Sequence, residues 1–177
     1  MKRFVAIFLF VIATYSLFAA AALGFDLRSF DFLFEEDGVR IEGEVAFDVN
    51  NIRVTIPLRY GKSKIYDLSI FETGLLVSIQ PWEGMGLFAE VSLFNAGWMW
   101  GIYAPSDPFF LSLEGSVGWE FRFGIVYLRP KYTVRSLYSA EDTKNEKVRM
   151  IPQFSQSRIS VLVGINIGGK DEKGISI

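Results

Sequence analysis

The segment from Phe109 to Tyr138 alternates between apolar and polar side chains along almost its whole length. A period of two is typical of β-strands, because successive side chains point to opposite faces of a sheet. Gly124-Ile125 interrupts the alternation at its middle, which predicts a turn and therefore a hairpin. Each predicted strand has about 13 residues, against a usual length of roughly 5–6.

The two faces of this hairpin differ in chemistry. One face is apolar, and the other carries charges that the turn places in pairs of opposite sign. In the register that the turn sets, Glu120 lies opposite Arg129. Further along the same register, Glu114 lies opposite Arg135. Each cross-strand ion pair supports such a register by about 0.2–1 kcal/mol.

A second hairpin with the same chemistry is predicted at residues 39–60, with Asn50-Asn51 as its turn. Its predicted cross-strand charge pairs are Asp48 with Arg53 and Glu42 with Arg59. Pro57 lacks a backbone donor, so we expect a local bulge in its strand.

The alternation predicts eight strands, an even number joined by consecutive turns. They are predicted at residues 25–34, 39–49, 52–60, 65–80, 86–103, 109–123, 126–138 and 159–167. A slip in the alternation at residues 72–74 predicts a β-bulge there. The loop from Ser139 to Ser157 is the longest connection, and it lies on the rim opposite to the tight turns.

Strand length and the chemistry of the two faces favour an all-β fold, an eight-stranded antiparallel up-and-down transmembrane β-barrel. Several aromatic residues lie near strand ends, as the girdles of membrane barrels do. They are Trp82, Trp98, Trp100, Trp119, Tyr60, Tyr103 and Tyr138. A soluble, lipocalin-like barrel with the apolar face inside is the alternative, because alternation alone does not identify the face that meets water.

In this pattern, residues 25–168 resemble the small eight-stranded outer-membrane β-barrel proteins of diderm bacteria. The most specific part is Gly118-Trp119-Glu120-Phe121-Arg122-Phe123-Gly124, which resembles a strand end and periplasmic turn of that class. The resemblance implies a location in the cell outer membrane, with lipid as the surrounding partner.

The first 24 residues predict a secretory signal peptide, since Met1-Lys2-Arg3 precedes an apolar stretch that ends in small residues. We expect cleavage after Ala22 or Gly24, and an uncleaved anchor helix is the alternative. The predicted domains are a signal peptide at residues 1–24, the barrel at residues 25–168 and a short charged tail at residues 169–177.

Histidine and cysteine are both absent from the sequence. The outer-membrane barrel enzymes of the resembled class rely on a histidine as general base, because imidazole titrates near neutral pH. We therefore expect a non-enzymatic protein with no catalytic residue, no cofactor and no metal site. The carboxylates of Glu42, Glu44, Glu114 and Glu120 are better explained by an ion-pair network than by acid–base chemistry. With a net charge of −2 we expect no nucleic-acid partner.

Three functions stay open at this point. The first is a structural or surface-interaction role, with a surface partner recognised through the loop from Ser139 to Ser157, since loops carry recognition on rigid scaffolds. A mobile, passively exposed loop is the alternative for that segment. The second function is a narrow porin-like pore gated by the Glu–Arg pairs, which single-channel recording would test. The third is a soluble periplasmic barrel that binds an apolar ligand.

Overall fold

A computed structural model describes residues 20–33, 38–81, 86–137, 142–149, 151 and 154–167. The strands are β1 (Ala20–Asp26), β2 (Gly38–Val49), β3 (Ile52–Ser63), β4 (Leu68–Ile79), β5 (Leu87–Gly101), β6 (Phe109–Trp119), β7 (Phe121–Phe123), β8 (Val126–Leu137) and β9 (Ser157–Ile167). β6 and β7 keep one register against β8, so they form a single barrel strand that is interrupted at Glu120. Pairing of β1 with β9 and of β6 with β8 closes the sheet. The fold is the predicted eight-stranded antiparallel up-and-down barrel.

Side chains of the described strands divide by polarity between the two faces of the barrel wall. Buried charged residues point into the lumen, whereas large apolar residues are exposed on the outside. In β9, Ile159 and Ile165 are exposed while Ser160 and Leu162 are buried. The apolar face is therefore the outer one, and the alternative arrangement with the apolar face inside the barrel is wrong.

Both predicted hairpins form, in the predicted registers. The bulge predicted at Pro57 is wrong, because β2 and β3 keep one register through this residue, which lies opposite Glu44. Pairing between β3 and β4 instead skips residues 56 and 57 without a change of register. Proline has no N–H to donate to a β-ladder, and the missing pairs at residues 56 and 57 accommodate it on the side that faces β4.

The bulge predicted at residues 72–74 is also misplaced. The register between β4 and β5 shifts between Leu75 and Leu76, where Leu93 of β5 is the extra residue. Leu93 and Phe94 are consequently both exposed, although they are neighbours in one strand. β4 looks irregular in the sequence because its lumen-facing positions include apolar side chains such as Leu76.

The first strand lies earlier than the sequence predicts. A strand is expected at residues 25–34, but β1 covers Ala20–Asp26, and Leu27–Leu33 form a 3-10 helix. Cleavage after Ala22 or Gly24 would therefore cut within β1. The signal peptide itself stays a prediction, since residues 1–19 lie outside the described residues, as do the whole of the predicted tail, Trp82 and Tyr138.

Small residues in β1 are required by the packing of the lumen. Ala22 is fully buried against Ala46 and Tyr127. A Cβ atom on Gly24 would collide with the hydroxyl group of Tyr127. The residues that resemble a cleavage motif thus have a second explanation, because a larger side chain at these positions would not fit beside Tyr127.

The two ends of the barrel differ, and we call them the turn rim and the loop rim. The turn rim carries the turns at Asn50-Asn51 and Gly124-Ile125, together with the start of β1 and the end of β9. The loop rim carries the 3-10 helix and helix α1 (Asp142–Arg149), which lies in the long loop. None of the described helices has the length and apolar character needed to cross a membrane.

Candidate functional site: the charged lumen

Charged side chains of both signs fill the lumen of the described strands. The buried carboxylates are Glu42, Glu44, Glu72, Glu90, Glu114 and Glu120, and the buried cations are Arg53, Arg59, Arg129, Lys131, Arg135 and Arg158. Asp26 adds a carboxylate at the loop rim. Because the strands are antiparallel with a period of two, every one of these residues shares the inward face with its neighbours on adjacent strands. The lumen is therefore close to electrically balanced.

Arg59 on β3 is the centre of the network. Its Nε donates to Glu42 on β2 over 2.9 Å, and Nη1 donates to Glu72 on β4 over 2.8 Å. Both of its terminal nitrogens reach across the lumen to Glu114 on β6, over 2.5 and 2.9 Å. The guanidinium group is fully buried, so its fork of donors ties three strands to one cation.

Two further arginines complete this layer. Arg135 on β8 makes a bidentate contact with Glu72, whose second oxygen also accepts a hydrogen bond from Ser112. Arg158 on β9 donates to Glu42 over 3.0 Å and lies 3.8 Å from Glu114. Six strands of the barrel thus contribute charged groups to one continuous layer.

A second layer lies towards the turn rim. Glu90 on β5 accepts hydrogen bonds from Lys131 over 2.9 Å and from Arg129 over 3.2 Å. The guanidinium carbon of Arg129 stands 3.7 Å from the centre of the Phe88 ring, in a cation–π arrangement. Glu44 accepts a hydrogen bond from the hydroxyl of Tyr127 over 3.1 Å. Buried carboxylates and cations again meet across the lumen rather than along one hairpin.

A third group closes the turn rim. Arg53 makes two hydrogen bonds to Asp48, over 2.5 and 2.8 Å, and a third to Glu120 over 2.7 Å. Arg122 donates to the other oxygen of Glu120 over 2.6 Å, and half of its side chain is exposed. This group links the turn after β2 with the turn after β7.

The structure brings together two of the four predicted pairs as hydrogen-bonded partners, Asp48 with Arg53 and Glu42 with Arg59. Glu120 and Arg129 stand 3.9 Å apart, but each makes shorter contacts elsewhere. Glu114 and Arg135 are register partners, yet they bind other residues.

The predicted pairs omit several members of the network. Glu72 lies opposite Arg59 on the neighbouring strand, but the alternation was expected to slip at residues 72–74, so this pair was not predicted. Glu90, Lys131 and Arg158 were not among the predicted pairs, because their partners come from strands that are distant in the sequence. Their inward positions on regular strands are the signal that would have identified them.

The lumen carboxylates of the predicted set lie beside cations. Glu42, Glu114 and Glu120 each lie within hydrogen-bond distance of an arginine. Within the described residues, no group of three or more His, Cys, Asp or Glu could hold a metal ion. This arrangement supports strand registration and electrical balance.

Apolar side chains close the lumen at the loop rim. This cap cluster combines Leu68, Ile70, Met99 and Phe110 of the strands with Val148, Ile151 and Phe154 of the long loop. The guanidinium carbon of Arg135 lies 5.2 Å from the centre of the Phe154 ring, so the cap rests on the charged layer. The loop that was predicted to contact a partner therefore anchors itself in the mouth, while Glu146 and Arg149 of α1 stay exposed.

Shortening one cap residue should loosen the loop without opening the barrel. Val148→Ala removes two fully buried methyl groups, which should destabilise the docked loop by about 1–2 kcal/mol. We expect faster hydrogen exchange and proteolysis within α1, while the amides of the strands stay protected. Glu146→Ala, on the exposed side of the same helix, should leave both unchanged. Equal protection of α1 in the two variants would contradict an anchoring role for the cap cluster.

Aromatic residues on the outer wall gather near the rims. Tyr60 and Trp100 stack at the loop rim with ring centres 6.0 Å apart, and Trp98 lies on the same outer face. At the turn rim, Trp119 stacks on Phe121 with ring centres 6.5 Å apart. Amphipathic rings at two levels are typical of proteins that meet two membrane interfaces.

No protein-family model and no curated protein matches the sequence. Among solved structures, the chain is similar to the crystal structure of Neisserial surface protein A, with a TM-score of 0.49 and 12% identity over 84% of this chain and 94% of that chain.

Proposed function

We propose that the protein is an integral β-barrel of the bacterial outer membrane, non-enzymatic, with a structural or surface-interaction role. The observation that carries this proposal is the reversed polarity of the barrel, whose outer wall is apolar and whose interior is charged. In water such a wall would expose a continuous apolar surface, far larger than soluble monomers tolerate. Lipid chains solvate the same surface at no cost.

The dimensions of the wall suit a bilayer. Most of the long strands have 11 or 12 residues. At about 3.3 Å per residue and a tilt of about 40°, they span roughly 30 Å, comparable to the hydrocarbon thickness of a membrane. The aromatic residues at both rims then lie at the two interfaces.

A filled lumen favours a structural or surface role over a pore. Arg59 crosses the lumen to reach Glu114, and the cap cluster closes the loop rim above it. A conducting path would have to separate buried ion pairs, which is costly in a low-dielectric interior. The exposed side of α1 and the neighbouring loops are the surfaces left for a partner outside the cell.

The direct test is the electrophoretic mobility of the membrane-extracted protein in SDS, boiled and unboiled. A closed transmembrane barrel should resist SDS until it is heated, so the two samples should differ in apparent mass. The protein should also sediment with the outer-membrane fraction. Release by osmotic shock, with no difference in mobility, would refute the proposal.

A further inference from the structure

The barrel wall contains a gap between β2 and β9 at the loop rim. β1 separates these two strands along the lower part of the wall, but it ends at Asp26, opposite Leu162 of β9. Residues 38–42 of β2 and 157–161 of β9 continue beyond it, and within the described residues they have no strand partner on that side. Two strand edges therefore face each other across an opening.

The 3-10 helix fills the gap and is latched by side chains. Nη1 of Arg28 donates to the carbonyl oxygen of Ile159 on β9 over 2.6 Å. On the other edge, the backbone N–H of Glu42 donates to Oγ of Ser29 over 2.8 Å. Asp26 holds the start of the helix by accepting from the backbone N–H of Arg28 over 2.9 Å. Side-chain hydrogen bonds thus connect the 3-10 helix to both strand edges at the level where the backbone pairing of β1 has ended.

Cavities lie on both sides of this latch. On the lumen side, a pocket of about 20 Å³ is lined by Asp26, Arg28, Ser29, Arg40, Glu42 and Arg158. On the outer side, an open cleft of about 420 Å³ is lined by Arg28, Tyr132, Ser155, Ser157, Arg158 and Ile159. Arg28 and Arg158 border both cavities, so among the described residues their side chains and the 3-10 helix lie between the outer wall and the mouth of the lumen.

The gap lies at the level of the aromatic residues. Ile41, next to Glu42, pairs with Tyr60, which stacks on Trp100. The lower wall of the outer cleft is formed by Tyr132 and Ile159, which are exposed and continue the apolar belt. In the bilayer that the proposed function requires, lipid chains would end and headgroups would begin at this level.

We propose that this gap is a latched side opening of the barrel, which admits the headgroup of a zwitterionic phospholipid from the surrounding leaflet to the mouth of the lumen. The lumen-side pocket carries the carboxylates of Asp26 and Glu42, which suit an amine, and the adjoining outer cleft carries the guanidinium groups of Arg28 and Arg158, which suit a phosphate. The volume of the outer cleft suits a headgroup, and the lipid chains would remain on the apolar belt below. The inference rests on the membrane location proposed above.

The latch can be tested by a distance measurement, because the chain has no cysteine of its own. Nitroxide labels at Leu27→Cys and Val134→Cys, both on the outer surface, report the position of the 3-10 helix relative to β8. In phosphatidylethanolamine–phosphatidylglycerol vesicles, Arg28→Ala should shift the distances to longer values, and Arg28→Lys should restore part of the shorter population. A control pair at Ile52→Cys and Val126→Cys, on the turn rim, should not change. An unchanged distance in Arg28→Ala would overturn the latch.

Entry of the headgroup can be tested by quenching. A fluorophore at Ser160→Cys lies on the lumen side of the gap, and one at Ser116→Cys lies in the lumen on β6. Phosphatidylcholine with a nitroxide on its headgroup should quench the first label, more strongly in Arg28→Ala, and leave the second unaffected. Equal quenching at the two positions would overturn the side opening.

These outcomes separate the two proposals. A protein that shows no heat-dependent mobility and does not enter vesicles would refute the membrane location. A protein that passes both criteria, but shows an unchanged distance or equal quenching, would refute the side opening alone.

Discussion

Replacing Arg59 by leucine should lower the free energy of unfolding by about 3–5 kcal/mol, the cost of breaking a buried ion pair by removing one partner. The substitution would leave Glu42, Glu72 and Glu114 facing one another without their shared cation. Arg135 and Arg158 would still contact two of these carboxylates, which keeps the expected cost within that range. Urea unfolding of the protein refolded in vesicles gives the measurement.

Two comparisons make the Arg59 result specific. Arg122→Leu removes an arginine that is half exposed at the turn rim, so it should cost no more than about 1 kcal/mol. Combining Arg59→Leu with Glu114→Gln should cost less than the sum of the single changes, because the second change removes one of the stranded charges. Additive costs, or a small effect of Arg59→Leu, would show that the lumen layer does not depend on this residue.

Placing an arginine at Val117 should destabilise the inserted barrel by about 2–4 kcal/mol, as expected for a cation near the bilayer midplane. Val117 is 57% exposed and lies close to the middle of the barrel strand formed by β6 and β7. In a soluble protein an exposed valine would tolerate the change within about 0.5 kcal/mol. Val117→Arg therefore distinguishes lipid from water as the solvent of the outer wall.

A position closer to the membrane interface provides the control for this substitution. Ser136 is exposed near the end of β8, at the loop rim. Ser136→Arg should cost only about 0–1 kcal/mol, because a long cation at the interface reaches the headgroups. Similar small effects at both positions, measured by urea unfolding in vesicles, would contradict the membrane location.

The hairpins were readable from the sequence because their information is local. A turn at Gly124-Ile125 fixes the partners of a whole strand, and charge pairs such as Asp48 with Arg53 report the register. The ion-pair network could not be predicted in this way. Arg59 binds Glu114 across the lumen, and the two residues lie on strands that are not neighbours in the sheet. Only the closed barrel decides which inward charges meet.

The first strand was missed for a related reason. Ala22 and Gly24 are small because Tyr127 occupies the space beside them, and Tyr127 comes from a strand far along the chain. When only their neighbours in the sequence are considered, the same small residues indicate a signal-peptide cleavage motif. The long loop shows the same limit, because its polar composition concealed the buried side chains of Val148, Ile151 and Phe154.

The position of Arg158 has a consequence for assembly. Glu42 and Glu114 belong to the second and sixth barrel strands, whereas Arg158 enters with the last one. An incomplete barrel would hold a surplus of negative charge at the place where the last strand must dock, which attracts that strand and disfavours any arrangement that stops short of it. We therefore expect closure to be all-or-none, with the final hairpin completing the sheet and neutralising its interior in one step.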